Sequence, residues 1–292
     1  MNKQFNKGIL LTSLGSFWWG FIGVLYFEYV SFIGHIELVV HRCLWTAVML
    51  ILTTTIFSKW QIFLNIIKKK RILVSLFISG FLIFINWAVW IYAVATDRII
   101  DASFGYFIMP ILSVFLGYIF FKEKLNQKRI ISIFLVFIAI LILLFFNLKS
   151  LPWVGLIVAL SWGFYNLIRK KINIDTDIGL LIESLYILPF ALICFYFISQ
   201  KGLNDFNSSN IGFSLFLILA GPMTVIPLFL YVRGVELIGL GPTGMIFYIT
   251  PTLQFILGYF YYNEDFSLVK FLSFIIIWIA VIIYLKDLYE TN

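Results

Sequence analysis

Phe104–Leu125 reads FGYFIMPILSVFLGYIFFKEKL, and Met245–Phe266 reads MIFYITPTLQFILGYFYYNEDF. The two align without a gap: Pro110 falls on Pro251, Leu116 on Leu257, Gly117 on Gly258, Tyr118 on Tyr259 and Glu123 on Glu264. Their flanks differ in charge. Glu123 sits among Lys122, Lys124, Lys128 and Arg129, whereas Glu264 has Asn263 and Asp265 beside it and only Lys270 nearby. In a membrane protein a basic flank marks the cytoplasmic side. One copy is therefore expected to point in and the other out, as in the inverted repeats of membrane carriers.

Composition sets the solvent. The chain is 62% hydrophobic and only 12% charged, with mean hydropathy +1.02, more apolar surface than a water-soluble domain can hide. A net charge of +7 could suggest nucleic acid, but the basic residues interrupt apolar runs and do not line one helix face. Cys43 and Cys194 each lie inside an apolar run, without the paired spacing of a disulfide framework or a metal site. His35, Glu37 and His41 lack the HExxH spacing of a zinc motif, so no metal and no cofactor is expected. Lys3, Lys7 and the run after them resemble a signal peptide, yet Gly8–Phe27 is long enough to span and reads as an uncleaved first helix.

A helix needs about 20 apolar residues to span a bilayer. The first half offers Gly8–Phe27, Ile36–Phe57, Ile72–Ala95, Ala102–Phe121 and Ile130–Phe146. The second offers Pro152–Ile168, Ile178–Ser199, Ile211–Tyr231, Thr243–Tyr262 and Val269–Leu285. The expected fold is an all-α polytopic membrane protein with ten transmembrane helices, both termini cytoplasmic, built as two inverted five-helix repeats over 8–146 and 152–285. That topology puts Lys3, Lys7, Lys59, Lys68–Arg71, Lys122, Lys124, Lys128, Arg129, Arg169–Lys171, Arg233 and Lys286 on one side. It leaves only Arg98, Lys149, Lys201 and Lys270 on the other. An odd number of helices per repeat makes the second copy enter from the opposite face. Trp19-Gly20-Phe21 echoes Trp162-Gly163-Phe164, a further trace of duplication, with glycines that let helices pack closely.

These residues resemble the drug/metabolite transporter superfamily, in its EamA group of two five-helix repeats, and within it the RarD-type permeases. The likeness is carried by His41-Arg42-Cys43-Leu44-Trp45, Asn86-Trp87, Ala102–Phe107, Arg169-Lys170-Lys171, Ile182-Glu183 and Phe247–Leu253. It spans essentially the whole chain. Where the group usually has Gly-Glu after the fourth and ninth helices, this chain has Lys122-Glu123 and Asn263-Glu264. The resemblance implies secondary transport of small organic solutes such as metabolites, amino-acid-like compounds or drugs. It places the chain in the bacterial inner membrane.

Charges inside a bilayer are costly and need a partner, a water-filled cavity or a task. Glu37, His41 and Trp45 share one face of the second helix, and Arg42 lies about 100° round from His41. Arg42 could clamp a carboxylate with His41 as a titratable neighbour, or Glu37 and Arg42 could simply neutralise each other. Toward the basic side stand Asn166, Arg169, Glu183, Arg233 and Glu236. Glu183 is a candidate proton carrier for coupling, the alternative being a structural pair with Arg169 or Arg233. Asn86, an amide at mid-membrane, should face the bundle interior. Pro110, Pro227 and Pro251 are candidate hinges, since each frees a helical carbonyl. Trp87, Trp90, Tyr106, Phe107, Phe247 and Tyr248 are expected to line a central cavity with Asn86.

The expected activity is thus that of a carrier working by alternating access, not of an enzyme. No Walker motif offers direct use of ATP. The rival readings are an intramembrane enzyme, a non-transporting receptor or scaffold, and a channel. Expected partners are a small-molecule substrate, the lipid bilayer and a second copy as a homodimer, with no nucleic acid.

Overall fold

The computed structural model describes residues 3–30, 32–95, 99–147, 153–207, 211–261 and 267–291. Asn263, Glu264 and Asp265 of the second motif copy, with Arg98 and Lys149, lie outside the described residues. Within them the chain is an all-helical polytopic membrane protein with no strand. A bilayer offers no water to backbone N–H and C=O groups, and a helix satisfies them within one segment.

The first half starts with α1 (Lys3–Phe17), which passes through a π turn (Trp18–Ile22) into α2 (Gly23–Tyr29). It continues with α3 (His35–Ile56), the short α4 (Trp60–Ile67), α5 (Lys70–Ala95), α6 (Ile99–Phe121) and α7 (Gln127–Asn147). The second half comprises α8 (Trp153–Ile172), α9 (Thr176–Gln200), α10 (Ile211–Ile218), α11 (Ala220–Ile238), α12 (Leu240–Ile246), α13 (Ile249–Phe260) and α14 (Leu268–Thr291). Among the described residues, seven stretches are long and apolar enough to cross a membrane: Lys3–Tyr29, His35–Ile56, Lys70–Trp90, Gln127–Phe146, Thr176–Gln200, Ile211–Ile238 and Leu268–Thr291. Gly105–Phe121 is a shorter apolar helix. Large apolar side chains such as Ile56, Phe145 and Phe260 stand on the outer surface, as lipid-facing residues do.

Two runs read as single helices are broken, each just ahead of a proline. Pro251 has no N–H for the Phe247 carbonyl, which Thr250 N takes at 2.9 Å, so α12 stops at Ile246 and α13 starts at Ile249. Pro222 does the same to Ile218, and the chain turns at Leu219 between α10 and α11. Helix α11 also outruns the expected end at Tyr231, so Arg233 and Glu236 belong to it and do not follow it. Lys122 closes α6 with φ +53°, the left-handed conformation for which the glycine of the resembled group is suited.

Helix pairing repeats when the halves are exchanged. Helix α5 lies on α8 as α11 lies on α1, and α3 packs on α11 as α9 packs on α5. Helix α6 meets α8 as α12 and α13 meet α1 and the π turn. The remaining large contacts, α3 with α9, α7 with α14 and α6 with α12, join corresponding helices. Close approaches repeat too: a Cβ on Gly20 would stand 3.0 Å from Leu253, and one on Gly163 would stand 2.6 Å from Leu112, the residue aligned with Leu253. The basic segments gather at one end of the bundle. Lys59 pairs with Asp177 (2.6 Å), Lys170 with Glu123 (2.8 Å), Arg129 with Asp287 (2.8 Å) and Lys128 with Glu290 (2.8 Å).

Candidate functional site

Where the two halves meet, α1–α2, α3, α5, α6, α8 and the α12–α13 break enclose a cavity of about 300 Å³. Its walls are rich in aromatic residues: Trp19, Phe27, Trp87, Trp90, Tyr106, Trp162 and Phe247. The π turn shifts the register of the first helix and turns Trp19 inward; such single-turn bulges recur at functional sites. Glu28, which is exposed, and His35, half-buried, also line the cavity, so it reaches the surface at the end of the bundle away from the basic loops.

The polar lining comprises Glu28, His35 and Gln254 together with Arg42 and Asn86. Arg42 is 7% exposed and lies between two ring faces, its guanidinium carbon 4.7 Å from the Phe27 centroid and 4.8 Å from that of Trp87. Its Nε donates to Thr224 Oγ1 at 3.3 Å, and no carboxylate of the described residues pairs with it. Asn86 Nδ2 donates to Val158 O (2.8 Å) and Ser161 Oγ (3.1 Å), which uses both amide protons and fixes the side chain.

Toward the basic end the cavity stops at packed rings. Trp19 meets Trp162 edge-on with centroids 5.2 Å apart, and Tyr231 lies beneath, 5.2 Å from Trp162 and 5.4 Å from Phe247. Below the rings, Glu123 ties three elements together. Its Oε1 accepts from Leu240 N and Lys170 Nζ, both at 2.8 Å, and its Oε2 accepts from Gly241 N at 2.9 Å. A Cβ on Gly117, Gly239 or Gly241 would come within 2.5–2.9 Å of that carboxylate, and Gly239 adopts φ +97°. The three glycines thus make the space, and the first-turn amides of α12, which have no partner within the helix, take a negative charge well.

Of the expected cavity residues, the structure brings Arg42, Asn86, Trp87, Trp90, Tyr106 and Phe247 together. Phe107 and Tyr248 are not among them. Tyr248 turns toward α7 and α14 and donates its hydroxyl to Phe107 O at 2.8 Å, while Phe107 packs on Phe274. The break before Pro251 explains the split, because a turn separates the directions of adjacent Phe247 and Tyr248. His41 is no neighbour of Arg42 within the cavity. It faces Phe195 and Phe206, accepts from Trp45 Nε1 at 3.1 Å and lies 3.3 Å from Glu37 Oε1. Glu37 in turn accepts from the backbone N–H of Asp205 at 2.9 Å, so it does not neutralise Arg42.

The polar set nearer the basic end forms two ion pairs bridged by Thr176, whose carbonyl accepts from Arg169 and whose hydroxyl donates to Glu236. Glu183 is buried on α9, 3.7 Å from Arg169 Nη1, and accepts from Ser79 Oγ and Tyr165 Oη. Arg233 is apart from it and pairs with Glu236 at 2.7 Å, which Thr176 also contacts. Asn166 donates to Trp162 O. Pro110, Pro227 and Pro251 all sit inside or at the start of helices, and a visible break accompanies Pro251. Among the described residues no three His, Cys, Asp or Glu are placed to hold a metal ion. Sequence reasoning missed Phe27, Trp162 and Glu123 as parts of the site. The Trp19/Trp162 echo and the Glu123/Glu264 alignment were the signals available for two of them.

Comparison with known proteins agrees with this architecture. The model of the EamA-like transporter family matches twice, over residues 6–145 and 150–286. Protein RarD of Escherichia coli is 32% identical over 99% of this chain and 97% of its own length. The uncharacterized transporter YojE of Bacillus subtilis is 33% identical over 97% of this chain and 95% of its own. A solved crystal structure, only 13% identical, superposes with a TM-score of 0.70 over 95% of this chain and 96% of its own, a likeness of fold. With two family matches covering nearly its whole length and full-length relatives above 30% identity, the chain belongs to the EamA-like transporter family and is a RarD-type permease.

Proposed function

We propose that this transporter is a secondary carrier of small organic solutes, working by alternating access across the bacterial inner membrane. The observation that carries the reading is the cavity itself, held between the halves, open at one end and stopped at the other by rings and the Glu123 contacts. Its volume falls at the small end of ligand sites, which suits metabolites and compact drugs. The exchange symmetry of helix pairing supports two inverted five-helix repeats over 8–146 and 152–285, ten spans in all. Under the positive-inside rule the basic end faces the cytoplasm with both termini, and the conformation described is open outward. The partner open to the cytoplasm would form when the rings part and Glu123 releases α12.

Purified protein in liposomes tests this. Preloaded solute should exchange against labelled solute for at least one member of a panel of amino acids, organic acids, amines and antibiotics. Exchange of none would sink the carrier reading in favour of a receptor or scaffold.

A further inference from the structure

We propose that the cavity selects its solute by a carboxylate, gripped edge-on by Arg42, while the aromatic walls hold an apolar body. The inference deepens the carrier reading above and rests on it.

Contrast with the other buried arginines of the described residues carries the argument. Arg129 has Asp287 at 2.8 Å, and Arg169 has Glu183 at 3.7 Å. Arg42 is buried to a similar degree, yet it has only the Thr224 hydroxyl. A guanidinium held in a membrane interior without a counter-charge is costly, and such residues persist where they meet a substrate or ion. The geometry says which kind. Phe27 and Trp87 cover the two faces of the guanidinium, which leaves its N–H edge as the reactive surface. Nε is turned to Thr224, so the terminal nitrogens are left to serve a ligand. A planar fork of N–H donors fits the two oxygens of a carboxylate, and a point-charge cation would not present that fork.

The rest of the cavity defines the body. Once Asn86 Nδ2 is committed to Val158 and Ser161, its Oδ1 is an acceptor with no partner among the described residues. It could receive an α-ammonium or hydroxyl of the same solute. Trp19, Trp90, Trp162 and Phe247 offer flat apolar surface around Arg42, and the carboxylate of the lining, Glu28, stands at the exposed mouth. Organic cations, which aromatic walls alone would welcome, are repelled by Arg42 at short range in a medium that screens poorly.

A matched series with one body and changing head group decides it: 3-phenylpropanoate, phenylalanine, phenethylamine and 3-phenylpropanol. Binding to the detergent-solubilised full chain is read by tryptophan fluorescence, since Trp19, Trp87, Trp90 and Trp162 line the site. The acid and the amino acid should bind at least tenfold more tightly than the amine and the alcohol. Arg42→Gln should remove that preference, and Arg42→Lys should restore only part of it. An amine or alcohol that binds as well as the acid overturns the proposal, as does binding by none of the four. The wild-type comparison stands even if the variants fold poorly. Vesicle exchange with the same four separates the two readings. Binding of the acid without exchange would sink the carrier and leave the clamp; equal exchange of all four would sink the clamp and leave the carrier.

Discussion

At the residue scale, burial decides which charges are structural. Arg169 and Glu183 are both nearly inaccessible, and Gly179 gives the guanidinium its room, since a Cβ there would collide with Nη1. Removing one partner of such a pair leaves the other charged and alone, at a cost of about 3–5 kcal/mol. Arg169→Gln is therefore expected to lower the melting temperature in detergent sharply, and Gly179→Ala to do so by displacing the same side chain. If the pair is structural, Glu183→Gln will reduce gradient-driven accumulation and exchange alike in vesicles. Loss of accumulation alone would instead make Glu183 the proton carrier. The need for a partner at Glu183 was legible in the sequence, because a carboxyl among Leu180, Leu181 and Ile182 must be satisfied. Which arginine answers was not, because Arg169 and Arg233 stand on different helices and only packing chooses between them.

At the element scale, the breaks matter more than the helices. The π turn aims Trp19 into the cavity, and the interruption before Pro251 sends Phe247 to the cavity and Tyr248 to the α7–α14 side. Glu123 holds the start of α12 through charge-assisted bonds to two backbone N–H groups. Hydrogen bonds to a charged group contribute about 1.5–3 kcal/mol each. Glu123→Gln, which keeps the shape and loses the charge, should favour the conformation open at the basic end by roughly tenfold or more. A cysteine at Val235, buried beneath the rings, reports on this in a background lacking Cys43 and Cys194. Its labelling from the basic side should rise in the Glu123→Gln variant, and unchanged labelling would remove Glu123 from the gate.

At the scale of the whole molecule, a half-exchange pattern of helix pairs and a one-sided basic end are two independent signs of the same design. If the basic end is cytoplasmic, a cysteine replacing Lys201 will react with an impermeant maleimide added to intact cells. A cysteine replacing Lys128 will react only after the membrane is opened. The reverse pattern would invert the orientation, and with it the side on which the cavity opens.

The sequence by itself determined the solvent, the helical class and the family, because these follow from properties that add up along the chain. Apolar run length, loop charge and the gapless match of Phe104–Leu125 with Met245–Phe266 need no knowledge of packing. It also pointed to Arg42 and Asn86, since a polar residue in mid-membrane must face something other than lipid, and to Trp87 and Phe247 as aromatic neighbours of a cavity. What only the tertiary structure decided is direction and partnership. Arg42 and His41 are adjacent in the chain and face different surroundings, one between Phe27 and Trp87 and the other against Phe206. Glu123 meets Leu240 and Gly241 across more than a hundred residues of chain. Such contacts depend on where helices break and on which face a neighbour covers, and those are properties of the packed bundle.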